Sequence, residues 1–276
     1  MKKGAWREER LMAALRANGR VTVGEAVKML GVSEATARRL FSALEATGQV
    51  IRNYGGIQMP SWDGYSFEQY EKVLESEKRR IGIAASALVE QGDSLYLDCG
   101  TTLLQMAEAL RVRIGAGEIG SLNIVTNSIA NLGVLADAPL CRVILLGGEY
   151  NHARRDFSGP VTERCLEQFH FKKCFLGSEG LSAQAGLSTN HPGLSSLSEK
   201  VMSQADQRIA LVDSSKFGVD ALVSYAPLSA IDAIVTDAWP RAALEEALES
   251  EEVKVIIASD EAFNDQPKEE RKEFLQ

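Results

Sequence analysis

Residues 94–110 limit the possible folds of this chain more than any other stretch. Ser94, Leu95, Tyr96 and Leu97 form a short run suited to a buried parallel strand, and Leu103, Met106, Ala107 and Leu110 then recur at helical spacing. Gly100 lies between the two patterns and permits a sharp turn. The order strand, turn, helix puts Thr101 and Thr102 at a helix start, where unpaired N–H groups, hydroxyls and the positive end of the helix dipole converge. Such a point suits an anion, above all a phosphate. The same residues also fit a simpler reading, in which one threonine only caps the helix.

Strand and helix patterns keep alternating beyond this stretch, as in a parallel α/β sheet. Apolar runs at residues 123–126, 141–146, 173–176 and 208–212 lead in turn to Asn127-Ser128, Gly147-Gly148, Gly177 and Asp213-Ser214-Ser215-Lys216. Ligands of open α/β sheets bind outside the carboxyl ends of strands, so Thr101, Thr102, Thr126, Asn127, Gly147, Gly148 and Lys216 are expected to face one crevice. The threonines offer donors to a phosphate, Asn127 and Ser128 can bond hydroxyls, and Lys216 brings a positive charge, which together suit a small phosphorylated sugar or polyol. Singly, each has a plainer reading: Gly147-Gly148 as a turn, Lys216 as a surface lysine, Asn127-Ser128 as a helix cap.

Charge is distributed unevenly. The whole chain carries −8, yet residues 1–58 hold ten bases against five acids, a head of +5 on a body of −13. This asymmetry suggests a nucleic-acid-binding head. Residues 7–18 read as a short amphipathic helix and residues 23–30 as a second, and Gly31-Val32 turns the chain before Ser33, a good N-cap for a third helix over 34–47. If Ala37, Leu40, Phe41 and Leu44 face the core, Glu34, Ala35, Thr36, Arg38, Arg39 and Ser42 stand outward toward DNA, with Ser33 at the helix start. Residues 49–58 read as two short strands around a glycine turn, a wing whose Arg52 can reach a phosphate or the minor groove. A solvated helix face is the alternative for Arg38 and Arg39.

These parts, in this order, resemble the DeoR family of bacterial sugar-metabolism regulators. Over residues 7–57 the likeness is carried by Val32-Ser33-Glu34-Ala35-Thr36-Ala37-Arg38-Arg39, Leu44-Glu45 and Arg52-Asn53-Tyr54-Gly55-Gly56, although Leu40 stands where the family has an acidic residue. Across most of 75–237 it is carried by Asp98-Cys99-Gly100-Thr101-Thr102, Val125-Thr126-Asn127-Ser128, Leu146-Gly147-Gly148, Phe175-Leu176-Gly177 and Asp213-Ser214-Ser215-Lys216-Phe217-Gly218. The resemblance adds Asp98 and Gly100 to the expected effector site and implies a sensor domain similar in fold to ribose-5-phosphate isomerase. It therefore raises an isomerase-like enzyme with an accessory DNA-binding head as the competing function. Glu199 matches that enzyme's base, but Ser178-Glu179 replaces its two aspartates and His191-Pro192-Gly193-Leu194 its lysine loop.

The resulting expectation is a small winged helix-turn-helix domain at 1–58, a linker and the start of a connecting helix at 59–74, and a larger parallel-sheet α/β domain for effector sensing and oligomerisation at 75–276. A long amphipathic helical stretch is expected over 66–89, able to connect the head to the body or to pack two protomers together, with Glu75, Glu77, Lys78, Arg79 and Arg80 on its solvated face. Function is expected to be repression of a carbohydrate operon, with operator double-stranded DNA and a phosphorylated sugar as partners and a homodimer or homotetramer as the working form. No catalytic residue, metal or cofactor is expected. Four cysteines without C-x-x-C spacing read as reduced thiols, and no apolar run reaches the roughly 20 residues of a membrane span, so the expected location is the cytoplasm.

Overall fold

The computed structural model describes residues 3–18, 20–46, 50–53, 55–58, 65–240 and 243–258, and the chain divides into two compact units, Met1–Gln69 and Tyr70–Gln276. In the first unit, helices α1 (Lys3–Asn18), α2 (Val23–Leu30) and α3 (Glu34–Ala46) combine with strands β1 (Arg20–Thr22), β2 (Ile51–Asn53) and β3 (Gly56–Gln58). A reciprocal capping box fixes the start of α2: the Thr22 hydroxyl accepts from the Glu25 N–H at 3.2 Å while the Glu25 carboxylate accepts from the Thr22 N–H at 2.7 Å. Gly31 ends α2 in the left-handed conformation, φ 61°, which costs glycine little. Two residues later the Ser33 hydroxyl accepts from the Thr36 N–H at 3.3 Å and starts α3. Leu11, Leu15, Ala26, Ala37, Phe41 and Ile57 form the core beneath these turns.

Two expectations for this unit need correction. The wing sheet has three strands in the order β1-β3-β2, with Val21 opposite Ile57. At three residues, β1 is too short to show a period of its own. Leu40 is half-buried against the core and not inside it. The expected linker at 59–64, the wing-turn residue Tyr54, the end of α3 at Thr47 and Gly48, and the charged tail beyond residue 258 lie outside the described residues.

The expected helix over 66–89 is two helices, α4 (Phe67–Lys72) and α5 (Glu75–Ser86). Between them Leu74 takes φ 53°, a left-handed break that leaves the apolar spacing in phase on both sides and so does not show in periodicity. The second unit then runs through β4 (Ser94–Leu97), α6 (Thr101–Gly115), β5 (Leu122–Thr126), α7 (Ile129–Leu135), β6 (Cys141–Leu145), the hairpin β7 (Glu149–Asn151) and β8 (Asp156–Ser158), and α8 (Pro160–Leu166). There follow β9 (Phe171–Gly177), β10 (Gly180–Ser182), β11 (Gly186–Thr189), α9 (Pro192–Ser203), β12 (Ala205–Leu211), β13 (Val223–Ala226), β14 (Ala233–Thr236), α10 (Ala243–Ser250) and β15 (Lys254–Ile257).

Seven of these strands form one parallel sheet in the order β15-β14-β12-β9-β4-β5-β6. Strand alternation assigns its residues to two cores. Leu95, Leu97 and Phe175 pack with Ile81, Met106 and Leu110 on one face, whereas Tyr96, Cys174 and Leu176 pack with Leu166, Leu197 and Val201 on the other. Burial on both faces explains why the strands read as continuous apolar runs. From β4 the chain builds outward through β5 to β6, then returns to β9 and builds the other way, so the switch point lies between the carboxyl ends of β4 and β9.

On the first face, α5 and α6 approach backbone to backbone. A Cβ on Gly82 would sit 2.5 Å from the Gln105 carbonyl carbon. Gly82→Ala should therefore destabilise the protein by about 1–3 kcal/mol in denaturant unfolding. Gly133→Ala, in α7 with nothing within 4 Å, should be neutral or stabilising by up to about 1 kcal/mol.

Candidate functional site

In the first unit α3 presents Glu34, Ala35, Arg38, Arg39 and Ser42 exposed and Thr36 half-buried, with Ser33 exposed at its start. Arg38 and Glu34 form an exposed pair at 3.8 Å, one helical turn apart, an interaction weak enough to be exchanged for a phosphate or base. Arg52 of β2 turns back to α3: its guanidinium donates to the Ser42 hydroxyl at 2.8 Å and lies 4.0 Å from Glu45. The Ser42 hydroxyl in turn donates to the Arg38 carbonyl at 3.1 Å. Wing and helix thus present Arg38, Ser42 and Arg52 as one connected polar surface.

In the second unit the switch point is built from Asp98, Gly100 and Gly177. Asp98 accepts from the Gly177 N–H at 3.1 Å, which ties the end of β4 to the end of β9. Gly100 caps α6 at φ 110°, a conformation L side chains rarely adopt, and contributes no side chain of its own, so Thr101 and Thr102 begin the helix and do not cap it. Both threonines are buried against the protein. Among the described residues neither hydroxyl has a hydrogen-bond partner, which leaves two hydroxyls and the first-turn N–H groups free to meet an anion.

Thr126, Asn127 and Ser128, all fully buried, are spent on internal bonds. Ser128 caps α7 by accepting from the Asn131 N–H at 3.3 Å, and Thr126 accepts from the Ser128 N–H at 3.1 Å and from the Asn131 amide at 3.3 Å. Asn127 accepts from the Tyr96 hydroxyl and donates to the Phe157 carbonyl, both at 3.1 Å, which fastens the β7–β8 hairpin over the sheet. Gly147 and Gly148 follow β6, two strands from β4. The Thr162 hydroxyl donates to the Gly147 carbonyl at 2.9 Å, and a Cβ on Gly148 would lie 2.0 Å from that hydroxyl, so the pair serves a close approach of α8.

Lys216 ends a short turn after β12, separated from β4 by β9. Its ammonium lies 5.5 Å from the centre of the Tyr70 ring. Close by is Lys78, expected on a solvated face but only 4% exposed. Burial holds the Lys78 ammonium below the usual lysine range, Asp213 opposes this, and Lys216 reinforces it. The sequence did hold a signal, because Lys78 sits on the stripe of Leu74, Ile81 and Ala85. A cavity of about 680 Å³ opens beside the same turn, lined among others by Ser182, Ser214, Phe217, Asp220 and Trp239, and no expected effector residue lines it.

Sequence reading also misses Arg154 on the β7–β8 turn, which looks like one of several surface bases. It is 6% exposed, held by Asp156 at 3.3 Å and by Glu179 at 2.7 Å. Glu179 also accepts from the N–H and side-chain amide of Asn190 at 2.9 and 2.7 Å. Glu179, 25 residues on from Arg154, leaves no local pattern.

Two sequence profiles match the chain: the DeoR-like helix-turn-helix domain over residues 7–62 and the DeoR C-terminal sensor domain over residues 74–238. The chain belongs to the DeoR family of transcriptional regulators. Among curated DeoR-type relatives, the HTH-type transcriptional repressor GlcR of Bacillus subtilis is 31% identical over 94% of this chain and 100% of its own length. The lactose phosphotransferase system repressor of Lactococcus lactis is 30% identical over 84% of this chain and 90% of its own. A putative aga operon transcriptional repressor of Escherichia coli O157:H7 is 28% identical over 92% and 94%. Among solved structures, ribose 5-phosphate isomerase A from Methanocaldococcus jannaschii matches at 18% identity over 52% of this chain and 54% of its own, with a TM-score of 0.39. Among the described residues of this DeoR-family chain, no helix is long and apolar enough to cross a membrane, and no group of three or more His, Cys, Asp or Glu side chains could hold a metal ion.

Burial pushes the Asp98 carboxyl up to about 6, with the Asp156 charge adding and the N–H groups of Gly177 and Cys99 opposing. A carboxyl whose folded pKa lies above its unfolded value of 3.8 favours the folded state when protonated, so this contribution is complete below that value and is lost as pH rises through about 6. The stability of the wild type minus that of Asp98→Asn should therefore fall between pH 4 and pH 7.5, by up to about 3 kcal/mol. Urea unfolding of both proteins across that range checks it.

Proposed function

We propose that this DeoR-family regulator represses a carbohydrate operon, that α3 and the wing bind its operator, and that a phosphorylated sugar or polyol at the switch point between β4 and β9 lowers operator affinity. The observation that carries the sensor half is the start of α6: a glycine cap, free first-turn N–H groups, and the hydroxyls of two largely buried threonines, which have no partner among the described residues. A phosphate there gains charge-assisted hydrogen bonds and the helix dipole together. Asp98, Thr126, Asn127 and Ser128 then shape the crevice by fixing its loops, and Gly147 and Gly148 hold its outer edge.

The names of the relatives, a lactose phosphotransferase system repressor and a putative aga operon transcriptional repressor among them, support the carbohydrate assignment. Sensing without turnover is the reading for the second unit. Glu199 is exposed on α9, and the Ser178 hydroxyl is shared between the carbonyls of Gly180 and Ser188 at 2.6 and 2.9 Å, so neither is set up to move a proton on a bound sugar. A cytoplasmic homodimer or homotetramer follows from the DNA half, because one recognition helix reads only a half-site.

DNA binding and effector response should separate. Arg38→Ala or Arg39→Ala should weaken operator binding, with a salt slope smaller by about 1 where a phosphate contact is lost. Thr102→Val should bind operator as the wild type does and lose its response to the effector. Operator titrations across a salt series, with and without a panel of sugar phosphates, measure both. Unchanged binding in both arginine variants would remove α3 from the interface, and a normal effector response in Thr102→Val would remove α6 from the sensor site.

A further inference from the structure

A buried arginine beside the switch point is already engaged by acids of the protein itself. Arg154 is 6% exposed, with Asp156 at 3.3 Å from its Nε and Glu179 at 2.7 Å from a terminal guanidinium nitrogen. Glu179 is fixed in its turn. Its other carboxylate oxygen accepts from the N–H and the side-chain amide of Asn190 at 2.9 and 2.7 Å. Asn190 is anchored as well, its side-chain oxygen accepting from the Leu222 N–H at 3.2 Å. Most of the acceptor positions of the Glu179 carboxylate, roughly four in all, are thus filled by the protein.

This cluster adjoins the sensor site. Glu179 stands two residues beyond Gly177, no more than about 7 Å of chain from the N–H that Asp98 holds. The Cys99 thiol, in the turn before α6, hydrogen-bonds to Asp156. Asp98 feels both neighbouring charges, since Asp156 raises its pKa and Arg154 lowers it. Three carboxyl groups, those of Asp98, Asp156 and Glu179, therefore stand near the one guanidinium of Arg154. A further carboxylate brought here by a ligand would meet like charges at short range, in a place largely shielded from water, with the matching guanidinium already taken. A hydroxyl brings no charge and can donate to whichever acceptor remains.

We infer that Glu179 determines specificity: it fills the place on Arg154 that a ligand carboxylate would take, so the sensor accepts a phosphorylated polyol or sugar with a neutral far end and rejects the matching sugar acid. This rests on the sensor reading of the second unit and names which phosphorylated compounds that site takes. An arginine–carboxylate pair draws its strength from charge as well as fit, and an amide at residue 179 keeps the shape without the charge. Glu179→Gln leaves the guanidinium short of one acid, which a ligand carboxylate then supplies.

Three pairs of compounds test this by calorimetry on the full-length protein: erythritol 4-phosphate with erythronate 4-phosphate, ribitol 5-phosphate with ribonate 5-phosphate, and sorbitol 6-phosphate with gluconate 6-phosphate. Within each pair only C1 differs, a hydroxymethyl group in one member and a carboxylate in the other. In at least one pair the wild type should bind the polyol phosphate at least about tenfold more tightly than the acid. In Glu179→Gln that ratio should shrink at least about tenfold through tighter binding of the acid, with the polyol phosphate changed less than about threefold. A merely structural role for Glu179 would weaken both members alike. Asn190→Ala, at an exposed residue, loosens Glu179 without removing it and should move the ratio the same way by about two- to threefold. That variant carries the test should Glu179→Gln fail to fold. Equal binding within every pair that binds, or a ratio unchanged in both variants, would overturn the role of Glu179 and leave the sensor site standing. No binding of any member would overturn both together.

Discussion

Two neighbouring parallel strands that lead away in opposite directions leave a gap above their ends, and one hydrogen bond holds that gap in shape. The Asp98 carboxylate at the end of β4 accepts from the Gly177 N–H at the end of β9, and it does so buried, at a cost visible in its raised pKa. Gly100 then turns the chain so that α6 starts over the gap with its donors unspent. The neighbouring loops depend on the same point, since Asn131 of α7 donates to the Asp98 carbonyl at 2.9 Å while it helps position Thr126.

Charge is sorted around this gap. Free donors gather at the start of α6, whereas the β7–β8 hairpin and the loop after β9 contribute Asp156 and Glu179, both paired with Arg154. A ligand with a phosphate at one end and hydroxyls at the other matches that polarity, because carboxylates accept hydroxyl donors while the α6 end accepts charge. Any influence of such a ligand on DNA binding is limited by its difference in affinity for the two states of the regulator.

Much of this was legible in the chain itself. Continuous apolar runs ending in glycine or polar residues announced a parallel sheet, and Gly31, Ser33 and the basic head announced the helix-turn-helix, because these features are set by local backbone chemistry. Placement of Asp98, Gly100, Thr101 and Thr102 at a strand–turn–helix corner followed from the same periodicity. What was not legible depends on residues far apart in sequence. Arg154 is buried because Glu179, 25 residues on, pairs with it; the break at Leu74 keeps the helical phase; β1 finds its partner only in β3. Lys78 is instructive because its place on an apolar stripe was visible while its charge argued for solvent, and the packing of α5 decided between them.

The central claim is that the crevice between β4 and β9 recognises a phosphorylated sugar. Calorimetric titration of the full-length protein with a panel of sugar phosphates, each beside its unphosphorylated sugar, tests it most directly. One phosphorylated compound should bind selectively, its free sugar should not bind, and the compound should be recovered unchanged. Equal binding of a sugar with and without its phosphate, or conversion of the compound during the titration, would contradict it.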